Sequence, residues 1–407
     1  MTSRVIDMGD IASLVSRHDE WRLRECLNLQ CSENVTSEAV RRLLSSDMGH
    51  RYTLPFNQEV HGSFVRNAYR GTKYMDEVEE RGSKIAAKLF GGKFVTLKPL
   101  SGHIAGMIML MATCKRGDRI LIVDANDGGY DGYLPSGMAW MLGLKVGSLP
   151  FDVGRWNIDT DAASKKILKY RPRLVVLGAS FILFPYDIEP LKEAANKVGA
   201  VIGYDGSHVL GLIAGGEFQD PLGEGADILT GSTHKSFFGP QGGLVICKDE
   251  ELFNRVQETF RWRVMDNAHW NRIAALSQAL SESERCGQRY ARQVVRNAKA
   301  LAKEFDSRGL PVRFRELGYT ECHQMHLDEE TIKEAFGLTM NQFADKLERQ
   351  KVIVDAVGRI GPNEVTRMGL KEGDMATVAG MVMDCLAGRN VGREHARLRS
   401  RMRLQYC

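Results

Sequence analysis

The chain has 407 residues, 43% of them hydrophobic, and 55 Lys and Arg against 51 Asp and Glu leave a net charge of +4. That supports a large core with two or three domains, and charge scattered outside the run Arg393 to Arg403 excludes a composition-driven nucleic-acid surface. No stretch approaches the roughly 18 uninterrupted apolar residues of a membrane helix, and the charged first ten residues do not resemble a secretory segment.

Residues 1–48 read as an N-terminal helical arm, with Ile11, Leu14, Val15, Trp21, Val40 and Leu43 at helical spacing and a break near Leu27 to Asn34. From Val78 helix and strand alternate. An amphipathic helix to Phe90 precedes a short strand at Phe94–Leu97, and Ser101-Gly102-His103 then opens the apolar helix Ile104 to Cys114. Strands follow at Arg119–Val123, Leu174–Leu177, Ala200–Tyr204, Asp227–Thr230 and Gly243–Cys247, with helices at Asp159–Tyr170 and Ile188–Val198. The alternation predicts an α/β domain over 49–285 with a mainly parallel central sheet flanked by helices. A long helix from about Ala274 to Phe305 leads into a smaller α+β domain over 286–407, with strands expected at Pro311–Arg315, Glu321–Leu327 and Val352–Asp355. Eight single cysteines, at 26, 31, 114, 247, 286, 322, 385 and 407, read as reduced packing residues of a cytoplasmic protein.

The most informative stretch is Gly231-Ser-Thr-His-Lys235, followed by Gly239-Pro-Gln-Gly-Gly243. A lone lysine is usually a solvated surface group, and a lone aspartate at a strand end is usually a turn or cap. Here Lys235 lies just past one buried strand and Asp205 ends another, where open α/β sheets bind their ligands. Pyridoxal phosphate needs that pair: the acid keeps the pyridine nitrogen protonated and the lysine carries the aldehyde as a Schiff base.

Other groups fall into place around them. Ser101, Gly102 and His103 at a helix start offer a hydroxyl and backbone N–H groups to phosphate, and Ser232 and Thr233 add hydroxyls. Tyr130, after the glycines 128 and 129, is placed to stack on a ring. Ser180 and His208 are candidates for the phenolate oxygen. Arg359 and Arg367 bracket a Gly-Pro loop, and either can take a substrate carboxylate.

With these residues assembled, the chain resembles the serine hydroxymethyltransferases, fold-type I pyridoxal-phosphate enzymes, over about residues 18 to 385. The resemblance rests on Leu29-Gln-Cys-Ser-Glu-Asn34, Arg70-Gly-Thr-Lys-Tyr74, Ser101-Gly-His103, Gly178-Ala-Ser180, Tyr204-Asp-Gly-Ser-His208, Ser232-Thr-His-Lys235, Gly239 to Gly243 and Arg359-Ile-Gly through Arg367. It implies Lys235 as the Schiff-base lysine, Asp205 on the pyridine nitrogen, Ser180 and His208 on the phenolate, and Arg367 as carboxylate clamp. It implies Ser32 and Tyr69 as substrate contacts and Tyr52 as a residue given to the neighbouring subunit of a homodimer.

The chain departs from the family in three places. Leu54 stands in Tyr52-Thr-Leu-Pro55 where the family carries a glutamate used in folate-dependent transfer. Extra residues from Phe56 to Phe64 bring Glu59 and His61. Tyr130 replaces a stacking histidine, and Asp266-Asn267 replaces a glycine-rich phosphate loop from the second subunit, with Asn267 still able to donate. The resemblance and these departures lead to a threonine transaldolase or related aldolase. It splits L-threonine through a glycine quinonoid and adds the glycine unit to another aldehyde, with Tyr52, Glu59 or His61 for the β-hydroxyl proton. The alternatives are a folate-dependent serine or α-methylserine hydroxymethyltransferase, an amino-acid racemase, and a non-catalytic binding relative.

Overall fold

The computed structural model describes residues 8–407, so the first seven residues of the predicted arm lie outside the described residues. Seven strands form the central sheet: β1 (Phe94–Thr96), β2 (Arg119–Ile122), β3 (Lys145–Ser148), β4 (Leu174–Leu177), β5 (Val201–Asp205), β6 (Ile228–Ser232) and β7 (Gly243–Cys247). Their order is β1-β7-β6-β5-β4-β2-β3. The five strands from β6 to β3 run parallel, whereas β7 is antiparallel to both β6 and β1. β4, β6 and β7 are buried at every residue, as uninterrupted apolar and small runs require when helices cover both faces of a sheet. The edge strand β3, Lys-Val-Gly-Ser, has no apolar run and was not predicted.

Helices form where the punctuation asks for them. Glu189–Val198 has Pro190 in its first turn and ends at Gly199 in the left-handed region. Gly102–Thr113 starts at an extended Ser101 whose Oγ accepts the Ile104 N–H. The long helix runs Trp270–Ser307, 38 residues or about 57 Å. Its first part, through Val294, packs in the sheet's core, and Ala298 to Phe305 belong to a second core of C-terminal residues. Residue 285 therefore lies inside one continuous helix, and the packing changes near 294–298.

Residues from the predicted arm also join the second core. Leu27–Asn28 pairs in parallel with Val352–Ile353, and Leu27 and Leu29 are buried there. A second short ladder pairs Met325–His326 with Arg359–Ile360. No strand forms at Pro311–Arg315, and of the predicted strand Glu321–Leu327 only Met325–His326 pairs. The extra residues before Asn67 form a hairpin, Pro55–Val60 with Ser63–Asn67, turning through His61 and Gly62, both at positive φ as a tight hairpin turn requires.

Six cysteines are free, but Cys286 and Cys407 are joined as a disulfide across 121 residues, with their Cα atoms 6.4 Å apart. This corrects the expectation of eight reduced thiols: the C-terminal tail folds back onto the long helix. Among the described residues, no helix is long and apolar enough to cross a membrane.

Candidate active site

The carboxyl ends of β5 and β6 meet at the site, with Asp205 opposite Thr230 in register. Asp205, Lys235, His208, Ser180, Ser232, Gly102, His103 and Tyr130 all line one cavity. Eight residues singled out in the sequence are thus brought together from five separate segments.

Asp205 is held by two donors. The Tyr133 hydroxyl reaches Oδ2 at 2.8 Å and the Ser207 backbone N–H reaches Oδ1 at 3.0 Å. Tyr133 is buried, and a Cβ on Gly106 would overlap its hydroxyl, so the helix carrying Gly106 needs a bare position there. Sequence reasoning missed Tyr133, because Asp131-Gly-Tyr133 carries no signal that the ring turns inward.

Burial lowers the pKa of Lys235, an effect that the Asp205 charge partly opposes. Its amine is therefore nearer to the neutral, nucleophilic form than a surface lysine's. Burial also pulls His234 down to about 4 and His208 well below the ordinary range, with Lys235 adding to both effects. His208 faces the cavity as a neutral ring whose Nδ1 has no protein partner.

At the other end of the cavity the Gly102 position has no room for a side chain. A Cβ there would fall on Ser232 Oγ and lie 2.8 Å from Ser207 Oγ. This close approach gathers the Ser232 and Ser207 hydroxyls at the start of the helix beginning with Gly102, an arrangement suited to an anion. Tyr130 is fixed by His103, whose Nδ1 lies 2.9 Å from its hydroxyl. Behind Lys235, Asn34 Nδ2 donates to the Lys235 carbonyl at 2.9 Å and to Tyr290 Oη at 2.7 Å, tying the N-terminal segment to the lysine loop.

The arginine assignment changes. Arg367 is fully buried, bonded to Glu282 at 3.1 Å and to the Tyr406 carbonyl, and packed over the Phe238 ring at 3.7 Å. It does not line the cavity, and its fork is already occupied. Arg359 is the guanidinium tied to the cavity lining, through Ser180. Its Nη1 donates to the Ser180 carbonyl at 3.0 Å, its Nε to Asp355 at 2.8 Å, and its charge acts on both Lys235 and His208.

Several other expected residues do not line this cavity, Ser101 among them. Ser32 accepts from Gln30 Nε2 at 3.3 Å. Tyr52 and Tyr69 lie ring against ring at 5.0 Å, both exposed, with the Tyr52 hydroxyl on Asp266. Asn267, next in sequence, keeps a buried Oδ1 without a partner. Glu59 and His61 are exposed on the hairpin. A larger groove of about 1060 Å³ lies by Leu54, Glu79, Trp262 and Asp266 and shares no lining residue with the Lys235 cavity.

Pyridoxal 5′-phosphate fits these residues. A paired acid, a desolvated lysine, an orphaned neutral histidine nitrogen and a hydroxyl-lined helix start match its nitrogen, aldehyde, phenolate and phosphate. A family model described as serine hydroxymethyltransferase matches residues 7–382. Serine hydroxymethyltransferases of Methanothermobacter marburgensis and Methanopyrus kandleri are each 39% identical, covering 94% of this chain and 91% and 90% of their own lengths. A solved structure, L-threonine transaldolase from Pseudomonas fluorescens in its internal aldimine state, matches with TM-score 0.86 at 25% identity, covering 97% of this chain and 92% of that one. With its mainly parallel sheet, its Lys235–Asp205 site and these matches, the chain belongs to the serine hydroxymethyltransferase family and uses pyridoxal 5′-phosphate.

Proposed function

We propose that the protein is a threonine transaldolase or aldolase. It cleaves a β-hydroxy-α-amino acid, L-threonine by preference, and passes the glycine unit to a second aldehyde without folate. The observation that carries this reading is Leu54, a side chain that can neither give nor take a proton, where the family resemblance places the glutamate of folate-dependent transfer. The structural likeness to a transaldolase over nearly the whole chain supports it.

Pyridoxal phosphate, when bound, supplies the electron sink for a bond broken at the amino acid's α-carbon. Asp205, fixed by Tyr133 and Ser207, is aimed to hold a proton on the ring nitrogen. Lys235 presents a desolvated amine for transfer to and from the aldehyde carbon. Of the residues lining the cavity, the neutral His208 ring and Ser180 would hold the phenolate oxygen, and Tyr130 would stack on the ring. Arg359 offers a fork to the substrate carboxylate, and Ser32 is the further substrate contact. Tyr52, Tyr69 and Asn267 complete the site of a second copy in a homodimer, which accounts for their exposed or unpartnered state in their own chain. There Tyr52 handles the β-hydroxyl proton.

Purified protein given L-threonine and an aromatic aldehyde, with folate withheld, is expected to yield acetaldehyde and the adduct in equal amounts. Product formation that strictly requires tetrahydrofolate overturns the proposal. The second reading, folate-dependent hydroxymethyl transfer, is favoured by the 39% identity to proteins named serine hydroxymethyltransferase. Serine-to-glycine conversion with and without tetrahydrofolate separates the two.

A further inference from the structure

Behind the wall of the Lys235 cavity, Cys31 and His323 converge on His208, which lines it. Cys31 Sγ and one ring nitrogen of each histidine all lie within 4.8 Å of one another. The three residues are 0%, 4% and 0% exposed. His208 Nδ1 and both ring nitrogens of His323 lack a hydrogen bond of good geometry, and the Cys31 backbone is the polar group that acts on His323. The rings lie nearly parallel, with centroids 6.0 Å apart.

Orphaned buried nitrogens are costly. His323, with two of them, therefore sits where a further partner is called for. Each donor is carried on a fixed support. A Cβ on Gly361 would come within 2.6 Å of Cys31 Cβ, and the Gly361 N–H bonds to the Leu29 carbonyl at 2.8 Å. His208 follows the end of β5, and His323 precedes the Met325–His326 ladder. Burial pulls His323 down to about 3, so the ring is neutral, the form that offers a lone pair to a metal.

We propose that Cys31, His208 and His323 form a binding site for one thiophilic divalent ion of the zinc class. One thiolate and two imidazoles are the donors of tetrahedral zinc chemistry and not those of magnesium or calcium. Bonds of about 2.0–2.3 Å place tetrahedral donors about 3.3–3.8 Å apart, so binding requires the three donor atoms to draw closer than they stand. On binding, the Cys31 S–H bond breaks, its proton leaves to solvent and a sulfur–metal bond forms. The nearby charges of Lys235 and Arg359 oppose any cation, so affinity depends on that sulfur bond and hard ions are rejected. Because His208 also lines the cofactor cavity, ion and cofactor exclude one another on the same chain.

Full-length protein stripped of cofactor is titrated with Co²⁺ as the probe, alongside holoenzyme. The expected result is one ion per cofactor-free chain with sulfur-to-cobalt charge-transfer absorption. Cys31→Ser removes that absorption, His323→Gln weakens binding ~10-fold or more, and added pyridoxal phosphate releases the ion. As a readout that needs no variant to fold, Zn²⁺ slows alkylation of Cys31 in the unaltered cofactor-free chain and a chelator restores it. A missing charge-transfer band, a band that survives Cys31→Ser, or alkylation indifferent to Zn²⁺ overturns the site. Ion retained after the cofactor is loaded overturns the exclusion.

Discussion

Replacing Arg367 and Arg359 in turn separates a structural cation from a substrate clamp. Arg367→Ala strips the partner from Glu282, a carboxylate whose side chain is 2% exposed and whose other oxygen accepts from Ser37 Oγ at 2.6 Å. Removing one member of a buried pair costs about 3–5 kcal/mol, because the surviving charge stays desolvated. Lost packing on Phe238 and the freed Tyr406 carbonyl add to this. Against a typical total of about 5–15 kcal/mol, the denaturation midpoint falls sharply, while the folded fraction keeps its KM for L-threonine within about twofold. Arg359→Lys keeps the charge but loses the fork that reaches Ser180, Asp355 and the carboxylate. A lost charged hydrogen bond of about 1.5–3 kcal/mol raises KM about 10- to 150-fold, with little change in the midpoint. The assays are steady-state kinetics with L-threonine and chemical denaturation of the same preparations. If Arg367→Ala raises KM as Arg359→Lys is expected to, at unchanged stability, the reassignment is wrong.

Tyr133→Phe removes one of the two donors to Asp205 and is expected to weaken cofactor binding about tenfold in an absorbance titration; unchanged affinity would mean that Asp205 does not depend on it. Burial pushes Glu364 from 4.5 up to about 7, so its contribution to stability is complete below pH 4.5 and is lost as pH rises through 7. Glu364→Gln cannot ionise, and relative to the parent it is expected to gain about 1–3 kcal/mol between pH 4.5 and pH 8 in denaturation curves. Alkylation of denatured, unreduced protein is expected to label six cysteines, and Cys286→Ser to lower stability by at most about 5 kcal/mol for a loop of this length; eight labelled thiols would refute the pairing.

The site's two central residues were legible in the sequence because each follows a buried apolar strand, and strand ends of one parallel sheet share an edge. Gly102 and Ser232 were legible as helix-start and loop residues, although their near contact was not. The choice between Arg359 and Arg367 could not be made, since both flank one loop. It is decided by Glu282 on a helix 85 residues away and by the C-terminal tail. The Cys286–Cys407 pairing was hidden for the same reason, its partners being 121 residues apart. The hairpin before Asn67 escaped because its turn, His61-Gly62, lacks the usual Asn-Gly or Asp-Gly signal. The domain boundary was placed inside a helix because amphipathic periodicity continues unbroken while the packing partner changes.

Reduction of the holoenzyme with borohydride, followed by peptide mapping, tests most directly whether Lys235 is the lysine that carries the cofactor. The pyridoxyl mass is predicted on the peptide containing Lys235 and on no other. Its recovery on a different lysine, or on none, would contradict the account.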